Sequence, residues 1–259
     1  MNLQFFGGSG AKSGRKSRGG GNEDTVMGIP QSQIDQLRGT RDHLGKDELT
    51  PEVIQQDFAR VGIQVSKEYA EAVHHAIFSY TGYGYSRMFE VAEKERKGEP
   101  INDEHDKESL RDLRLLETYT KVAPVFKATS DRFGTFRDMV YRGVRFGAGS
   151  KEYDQQLKEL KVGDVYSFLR LSSFSTFQST AEQGTVGVSG YDGVLFHIPI
   201  KNKTAKYSIS IRGAAQDCGE NELLFYNPQK KWRVKEVYQK EYEEQYGSGI
   251  KHVILEPDA

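Results

Sequence analysis

The amino-acid sequence predicts an α+β fold in which a helical half precedes one mostly antiparallel sheet system. From residue 50 to 131, apolar residues recur at the spacing of about 3.6 residues that is typical of helices. Beyond that stretch, short apolar runs are separated by Gly, Asn and Pro, as in strands joined by turns. Helices followed by strands, without regular alternation, are typical of the α+β class.

The N-terminal stretch differs in composition from the rest of the chain. Residues 1–22 contain seven of the 27 glycines and four basic residues but no acidic one. Such a segment cannot bury enough apolar surface to offset the entropy cost of ordering it. We expect a flexible basic tail over 1–22, a polar linker over 23–49, and one domain over 50–259, with its helical part at 50–135 and its β part at 136–259.

Helix boundaries are marked by capping residues. Thr50 can cap a helix that has Pro51 in its first turn, and Gly62 ends that helix. Ser66 begins a second helix, and Gly98 ends a charged third one. Further helices are predicted near 31–38, around 110–117 and over 150–160.

Strands are predicted where apolar runs are bounded by turn residues. The predicted strands are 139–144, 165–168, 173–177, 193–200, 207–211, 222–226, 232–237 and 252–255.

Composition excludes several classes of protein. The single cysteine, Cys218, excludes an intrachain disulfide framework and a four-cysteine zinc site. A formal net charge of -1 argues against nucleic acid as the main partner. No apolar run is long enough to span a bilayer, and the N-terminus has no secretory signal. A cytoplasmic protein is therefore expected.

Four short motifs carry the candidate chemistry. They are Tyr80 with Tyr85, then Tyr141-Arg142-Gly143, then Ser173 to Phe177, and last Glu220-Asn221-Glu222. In a strand, residues two apart lie on the same face, so the two glutamates are expected to share one. Like charges held this close cost free energy, which a purely structural protein has no reason to accept. Taken singly, each motif is also typical of ordinary packing or of a solvated loop.

Together, and in this order, the motifs resemble those of the mono-ADP-ribosyltransferases of the Arg–Ser–Glu type, the class of clostridial binary-toxin enzymes and related exoenzymes. The resemblance runs from about residue 50 to the C-terminus. It implies a helical lead-in followed by a split β-sandwich, with NAD as the substrate, no metal, and a protein as the acceptor.

The resemblance implies a role for each matching residue. Arg142 would hold the NAD phosphates, because a guanidinium is always charged and binds oxyanions in a fork. Gly143 would let the dinucleotide approach the backbone. Ser175 would orient the catalytic glutamate, and Thr176 matches the next position of the family's Ser-Thr-Ser. Tyr80 and Tyr85 match two tyrosines of a helix motif on the adenine side.

The two glutamates would carry the reaction itself. Glu222 matches the catalytic glutamate, which stabilises the oxocarbenium-like charge as the glycosidic bond breaks. Glu220 matches a position where the family has glutamate when the acceptor is arginine. A carboxylate there can bind the guanidinium and accept its proton. An arginine acceptor is therefore expected.

This sequence departs from the family pattern at two positions. Phe89 stands where the helix motif has asparagine, and Phe177 stands where Ser-Thr-Ser has its last serine. An aromatic shelf for nicotinamide is also expected, with Phe174, Phe177 and Tyr191 as candidates.

Other functions remain open at this stage. The leader Asn2-Leu3-Gln4-Phe5-Phe6-Gly7-Gly8 resembles leaders of phage morphogenesis proteins, which suggests a phage-borne effector or a virion-associated protein. The alternatives are therefore a phage head-associated protein with an inactive domain, and an NAD glycohydrolase that uses water as the acceptor. A nucleic-acid-binding protein with a basic tail is the weakest alternative.

Overall fold

The computed structural model of the chain describes residues 24–42, 48–127, 139–147, 151–168, 171–187, 190–199, 208–211, 214–215, 222–226, 231–241 and 249–257. The helices are α1 (Gln31–Leu37), α2 (Pro51–Arg60), α3 (Lys67–Ser79), α4 (Tyr85–Lys97), α5 (Glu104–Val122), α6 (Lys151–Glu159) and α7 (Gln178–Gln183). The strands are β1 (Thr25–Val26), β2 (Ile29–Pro30), β3 (Thr40–Asp42), β4 (Val125–Lys127), β5 (Met139–Arg145), β6 (Val165–Tyr166), β7 (Leu171–Ser175), β8 (Val186–Gly187), β9 (Gly190–Pro199), β10 (Ser208–Ser210), β11 (Glu222–Tyr226), β12 (Trp232–Lys240) and β13 (Gly249–Pro257).

Helices α2, α3 and α4 begin or end at the capping residues that the sequence indicates. The Thr50 hydroxyl accepts a hydrogen bond from the Val53 N–H at the start of α2, and the Ser66 hydroxyl accepts one from Tyr69 at the start of α3. Gly98 ends α4 with a left-handed φ of 72°. Within the described part of the chain, no helix combines the length and hydrophobicity needed to cross a membrane.

Residues 24–42, assigned from composition to a polar linker, pack against the helical part. Ile34 is fully buried. The buried Arg38 guanidinium donates hydrogen bonds to two carbonyl groups at the C-terminal end of α5. One is the Thr120 carbonyl in the last turn, at 2.9 Å, and the other is the Ala123 carbonyl just after the helix, at 2.7 Å. Strand β3 then pairs with β4 in parallel. Because most residues of this stretch are polar, its composition does not indicate that its few apolar residues are buried.

The strands of the β part form one nine-stranded sheet. Its order is β10-β11-β7-β5-β9-β13-β12-β6, and β8 pairs with β9 beside this path. Every neighbouring pair in it is antiparallel except β9 with β13. The α+β prediction with a mostly antiparallel sheet system is confirmed.

The shortest ladder of the sheet joins β5 and β7. These two strands share a single registered pair, Tyr141 with Ser175, whereas β5 and β9 share seven pairs. The sheet therefore divides here into a half that contains β7, β10 and β11 and a half that contains β5, β6, β8, β9, β12 and β13. This division corresponds to the split of the predicted β-sandwich.

Two apolar cores lie on opposite faces of β7 and β11. Leu171 and Leu224 belong to the core built with helices α1 to α5. Phe174 and Leu223 belong to a second core built with α6 and the larger half of the sheet. Both strands are thus buried on both faces, which explains why Leu223 and Leu224 are both apolar instead of alternating with polar residues.

The predicted strand over 173–177 ends earlier than the sequence suggests. Strand β7 ends at Ser175, and Phe177 lies at the N-cap of α7, a helix that was not predicted. Helix α7 has six residues and its apolar content is low, so the periodicity signal is too short to detect.

A buried ionic cluster joins three elements of the helical part. The Asp57 carboxylate on α2 accepts hydrogen bonds from the Arg41 guanidinium of β3 at 2.6 and 2.8 Å. It also accepts one from the Tyr119 hydroxyl of α5 at 2.7 Å. Because Asp57 is 1% exposed, loss of its carboxylate would leave the Arg41 guanidinium and the Tyr119 hydroxyl without this partner in a region of low polarity.

We predict that Asp57→Ala lowers the free energy of unfolding by about 3 kcal/mol, because it leaves Arg41 and the Tyr119 hydroxyl unpaired. Urea unfolding followed by circular dichroism measures this loss. Glu71→Ala is the control, since the Lys67–Glu71 pair lies at the surface and its loss is expected to cost less than about 0.5 kcal/mol. Equal effects of the two changes would contradict the structural role of the cluster.

Candidate functional site

The candidate site lies where three neighbouring strands meet. Glu222, the first residue of β11, is the register partner of Ser175, the last residue of β7. Ser175 is in turn the register partner of Tyr141 on β5. Directly opposed residues of antiparallel strands have Cα atoms about 4.5–5.5 Å apart. The sheet therefore brings together the backbones of three of the four sequence motifs.

Ser175 and Thr176 occupy the turn between β7 and α7. The Ser175 hydroxyl accepts a hydrogen bond from the Phe177 N–H at 3.1 Å, which fixes the backbone as it leaves the strand. Ser175 is 7% exposed and Thr176 is 8% exposed. Among the described residues, the buried Thr176 hydroxyl has no hydrogen-bond partner. A buried hydroxyl without a partner costs free energy, and such costs are most often tolerated at functional sites.

Arg142 follows Tyr141 on β5 and is 2% exposed. Its guanidinium donates a hydrogen bond to the Ser173 carbonyl and lies over the Phe174 ring, 5.5 Å from the ring centre. Burial raises the phenol pKa values of Tyr153 and Tyr166. The nearby positive charge of Arg142 offsets part of this increase. The arginine is thus anchored to the strand of Ser175, within the second core.

Gly143 is required by the packing of α7 on β5. A Cβ atom at this position would overlap the Ala181 carbonyl oxygen and lie 3.0 Å from the Ala181 carbonyl carbon. The glycine therefore lets α7 lie directly against the strand that carries Arg142. This close packing accounts for the glycine without a ligand, and the expected approach of a dinucleotide remains a proposal.

Tyr80 and Tyr85 flank a distorted helical turn between α3 and α4. Tyr80 is 4% exposed and Tyr85 is 9% exposed, and both belong to the core of the helical part. The Tyr80 ring contacts the rings of Tyr85 and Phe89, at centre distances of 6.4 and 6.2 Å. Phe89, which replaces the expected asparagine, therefore packs against the first tyrosine.

The three aromatic candidates for a nicotinamide shelf differ in exposure. Phe174 is 4% exposed and lies in the second core. Tyr191 is half-buried and packs beside Ala181 and Leu195. Phe177 is 39% exposed and directly follows the Ser175–Thr176 turn. Among these three, Phe177 is the most accessible ring.

Some of the sequence-predicted residues near the site lie outside the described part of the chain. Glu220 and Cys218 lie outside the described residues, and Glu222 is placed by its backbone register. In the described ranges, no cluster of three or more His, Cys, Asp or Glu residues could hold a metal ion.

The sequence analysis missed a pair of buried histidines on β9 and β13. The His197 Nε2 and His252 Nδ1 atoms are 2.8 Å apart, and the two residues are 7% and 1% exposed. His197 is the register partner of Tyr141, whose ring it meets edge-on at 5.2 Å, and Tyr238 stacks on His252 at 4.5 Å. His197 thus continues the row that links Glu222, Ser175 and Tyr141, whereas His252 is the register partner of Leu195. Its members are 55 residues apart in the chain, so no local pattern reveals them.

Burial lowers the pKa of both histidines. Desolvation, with the neighbouring His252 as a second cause, lowers the pKa of His197 from 6.5 to about 4. Desolvation also lowers the pKa of His252, to which Lys240 adds, while Glu182 on α7 opposes the change. The His252 Nε2 atom is buried without a hydrogen-bond partner in the described part of the chain.

Comparison with solved structures finds bacterial ADP-ribosyltransferases. Vis toxin from Vibrio splendidus is 17% identical, with a TM-score of 0.45, 89% of this chain and 91% of that one being covered. HopU1 of Pseudomonas syringae pv. tomato is 15% identical with a TM-score of 0.45, at coverages of 88% and 96%. Plx2a from Paenibacillus larvae is 16% identical with a TM-score of 0.47, at coverages of 82% and 99%.

No protein-family model matches the sequence, and no curated protein matches it either. Structural similarities at TM-scores below 0.5 and identities below 20% do not establish a shared activity. The chemistry of this site is therefore derived from its own residues.

We predict an acid-sensitive loss of stability that depends on the histidine pair. Because the folded-state pKa of His197 lies below its unfolded value, the folded state binds fewer protons. Stability is full above pH 6.5 and falls as the pH decreases from 6.5 towards 4. The loss amounts to about 2–3 kcal/mol and is measured by urea unfolding as a function of pH.

The double variant His197→Phe/His252→Phe removes both titrating rings and is expected to flatten this pH dependence, because replacing both partners leaves neither unpaired. The exposed His105→Gln is the control and is expected to behave as the wild type. A double variant whose stability declines as steeply as that of the wild type would contradict the assignment.

Proposed function

We propose that this chain is an NAD-dependent mono-ADP-ribosyltransferase of the Arg–Ser–Glu type that modifies an arginine on a protein. The single observation that supports it most is the register of the sheet. Glu222 lies opposite Ser175, Ser175 lies opposite Tyr141, and Arg142 follows on the same strand. The backbones of residues about 80 positions apart in the chain thus lie side by side, which supports the proposal.

The reaction breaks the bond between the nicotinamide nitrogen and C1′ of the adjoining ribose. Nicotinamide leaves as a neutral molecule, and positive charge develops on C1′ and the ring oxygen. The Glu222 carboxylate is assigned to stabilise that charge, since an oriented opposite charge in a site of low polarity is commonly the largest catalytic effect. Ser175 is assigned to orient Glu222.

A guanidinium nitrogen of the acceptor then forms the new bond to C1′. Glu220 is assigned to bind the guanidinium and to accept the proton that it loses, because a protonated guanidinium is a poor nucleophile. Without an acceptor, water captures the same cation, so slow NAD hydrolysis is expected. Glu220→Gln should therefore reduce transfer more than hydrolysis.

NAD binding is assigned to Arg142, Gly143, Thr176, Tyr80 and Tyr85. Arg142 supplies the charge for the phosphates, and the Thr176 hydroxyl is the buried donor that still needs an acceptor in the described structure. Because the Arg142 guanidinium is 2% exposed, its contact with a phosphate requires the surrounding side chains to open. No step of this scheme uses a metal.

The burial of Arg142 also favours a second candidate function. In this alternative, the chain is a phage head-associated protein whose domain no longer binds NAD. Calorimetric titration with NAD separates the two, because an inactive domain shows no binding. A phage-borne enzyme acting in the bacterial cytoplasm should bind NAD and release nicotinamide.

The acceptor is identified with adenylate-labelled NAD in a bacterial lysate. Label in discrete protein bands, released by reagents that cleave arginine linkages, supports the proposed acceptor. Nicotinamide release without protein labelling supports an NAD glycohydrolase instead.

We predict that Glu222→Gln lowers the rate of nicotinamide release by a factor of roughly 10² to 10³, because the neutral amide cannot stabilise the developing cation. NAD affinity should change less than about threefold, since the charge is needed in the transition state. Chromatographic assay of nicotinamide and calorimetry measure the two quantities. Glu236→Gln, at an exposed strand position on β12, serves as the control. Near-normal turnover by Glu222→Gln would exclude the role assigned to it.

A further inference from the structure

Strand β12 forms one end of the sheet, and most of its outer edge has no strand beside it. The strand has nine residues, but β6 pairs with only the first two of them. The turn before β6 covers the third residue, Val234, whose N–H and carbonyl make hydrogen bonds of 2.8 Å with Asp164 and Gly163. Among the described residues, no segment pairs with the outer edge of residues 235–240.

A strand edge of this length is a place where another strand can add. Its outward N–H and carbonyl groups form a ready template for pairing, and proteins usually keep edge strands short, cover them, bend them with a bulge or give them repelling charges. At the other end of the sheet, the edge strand β10 has three residues and lies beside β3 and β4. Strand β12 has a bulge between Val234 and Glu236, yet five residues continue the ladder beyond it.

The charges of this edge do not repel a second copy of the same edge. Residues 235–241 contain the two lysines Lys235 and Lys240 and the two glutamates Glu236 and Glu241, so their charges sum to zero. All four residues are exposed. A row of lysines would keep two copies apart, whereas alternating signs allow attraction between them.

The order of these charges is complementary to itself. Outward backbone groups occur at every second residue, so two antiparallel copies can pair only residues whose numbers have an even sum. With a two-fold axis at Tyr238, Glu236 lies opposite the partner's Lys240, and Lys235 lies opposite the partner's Glu241. Each pair occurs twice because of the symmetry. Moving the axis by one residue in either direction loses both pairs.

We propose that the edge of β12 is the contact surface for a second copy of this chain, which pairs with it antiparallel around a two-fold axis at Tyr238. Alternation places Glu236, Tyr238 and Lys240 on one face of the strand. The Tyr238 ring is 41% exposed and is held by stacking on His252 at 4.5 Å, so it is ordered where it meets its own copy. Lys240 Nζ lies 3.5 Å from Glu182 Oε1, so the partner's Glu236 joins an existing ion pair.

This contact is independent of the proposed transferase function. Strands β13, β9 and β5 lie between β12 and β7, which carries Ser175. Four strand spacings correspond to about 19 Å. Pairing at β12 therefore leaves the candidate site of each copy accessible, and turnover per chain should not depend on association.

Sedimentation velocity of the full chain, at concentrations from about 1 to 500 µM, tests the pairing. A short strand pairing buries less surface than a standard interface, so a dimer with a Kd of roughly 10 to 100 µM is expected. Glu236→Lys and Lys240→Glu each place like charges opposite each other twice, and each should raise the Kd about tenfold or more. The double variant Glu236→Lys/Lys240→Glu exchanges the charges and should restore the wild-type Kd within about threefold. Glu159→Lys, an equal charge change at the exposed end of α6, should leave the Kd unchanged.

Cysteine cross-linking tests the position of the axis, with Cys218 replaced by Ser. Residue 238 faces its own copy, with Cα atoms about 4.5–5.5 Å apart, which suits a disulfide. Tyr238→Cys should therefore give a covalent dimer on oxidation. Lys235→Cys is the matched control, because its copy lies about 20 Å away along the paired strands.

Three results would overturn the assignment. A wild-type chain that stays monomeric throughout the concentration range would leave the edge to an extended segment of a different protein. A dimer that neither charge reversal weakens, or that the charge exchange fails to restore, would use another surface. Equal cross-linking through positions 235 and 238 would exclude the proposed axis. If Tyr238→Cys fails to fold by circular dichroism, the charge exchange decides alone.

Discussion

The candidate site depends on the burial of β7 and β11 between two cores. Leu171 and Leu224 pack on the helical side of these strands, while Phe174 and Leu223 pack on the other. A slip of either strand by one residue would turn its side chains to the opposite face, so that each core would lose the side chains that now fill it. The same slip would separate Glu222 from Ser175 in the ladder. Hydrophobic packing on both faces therefore fixes the relation between two polar residues that have no sequence proximity.

The narrow junction between β5 and β7 makes an opening in an otherwise continuous sheet. One registered pair holds these strands together, so the ladder ends close to Ser175 and the chain turns into α7. Gly143 allows α7 to pack closely against β5 at this place. At this junction, the end of β7, the short helix α7 and the first residue of β11 follow one another closely.

Local patterns predicted most of the fold, whereas the roles of the candidate site residues remain a prediction. Capping residues such as Thr50 and Ser66 and the left-handed Gly98 determine helix ends through short-range contacts, and the structure confirms them. The strand at 222–226 was also predicted correctly, since its continuous apolar run is typical of a strand buried on both faces. The position of Phe177 outside β7, the packing of residues 24–42 and the His197–His252 pair depend on contacts between distant segments. A single sequence carries no local signal for such contacts.

Two departures from local rules lie directly after Ser175. The Thr176 hydroxyl is buried and lacks a partner among the described residues, and Phe177 occupies a helix N-cap that it cannot satisfy. Helices α2, α3 and α5 have side-chain N-caps, whereas α1 and α4, like α7, have none. A stretch that sacrifices stability in two independent ways, beside a residue opposite Glu222, has the character of a ligand-binding segment. The two departures also differ in kind, since a buried hydroxyl suits a polar ligand atom and an exposed ring suits a planar group.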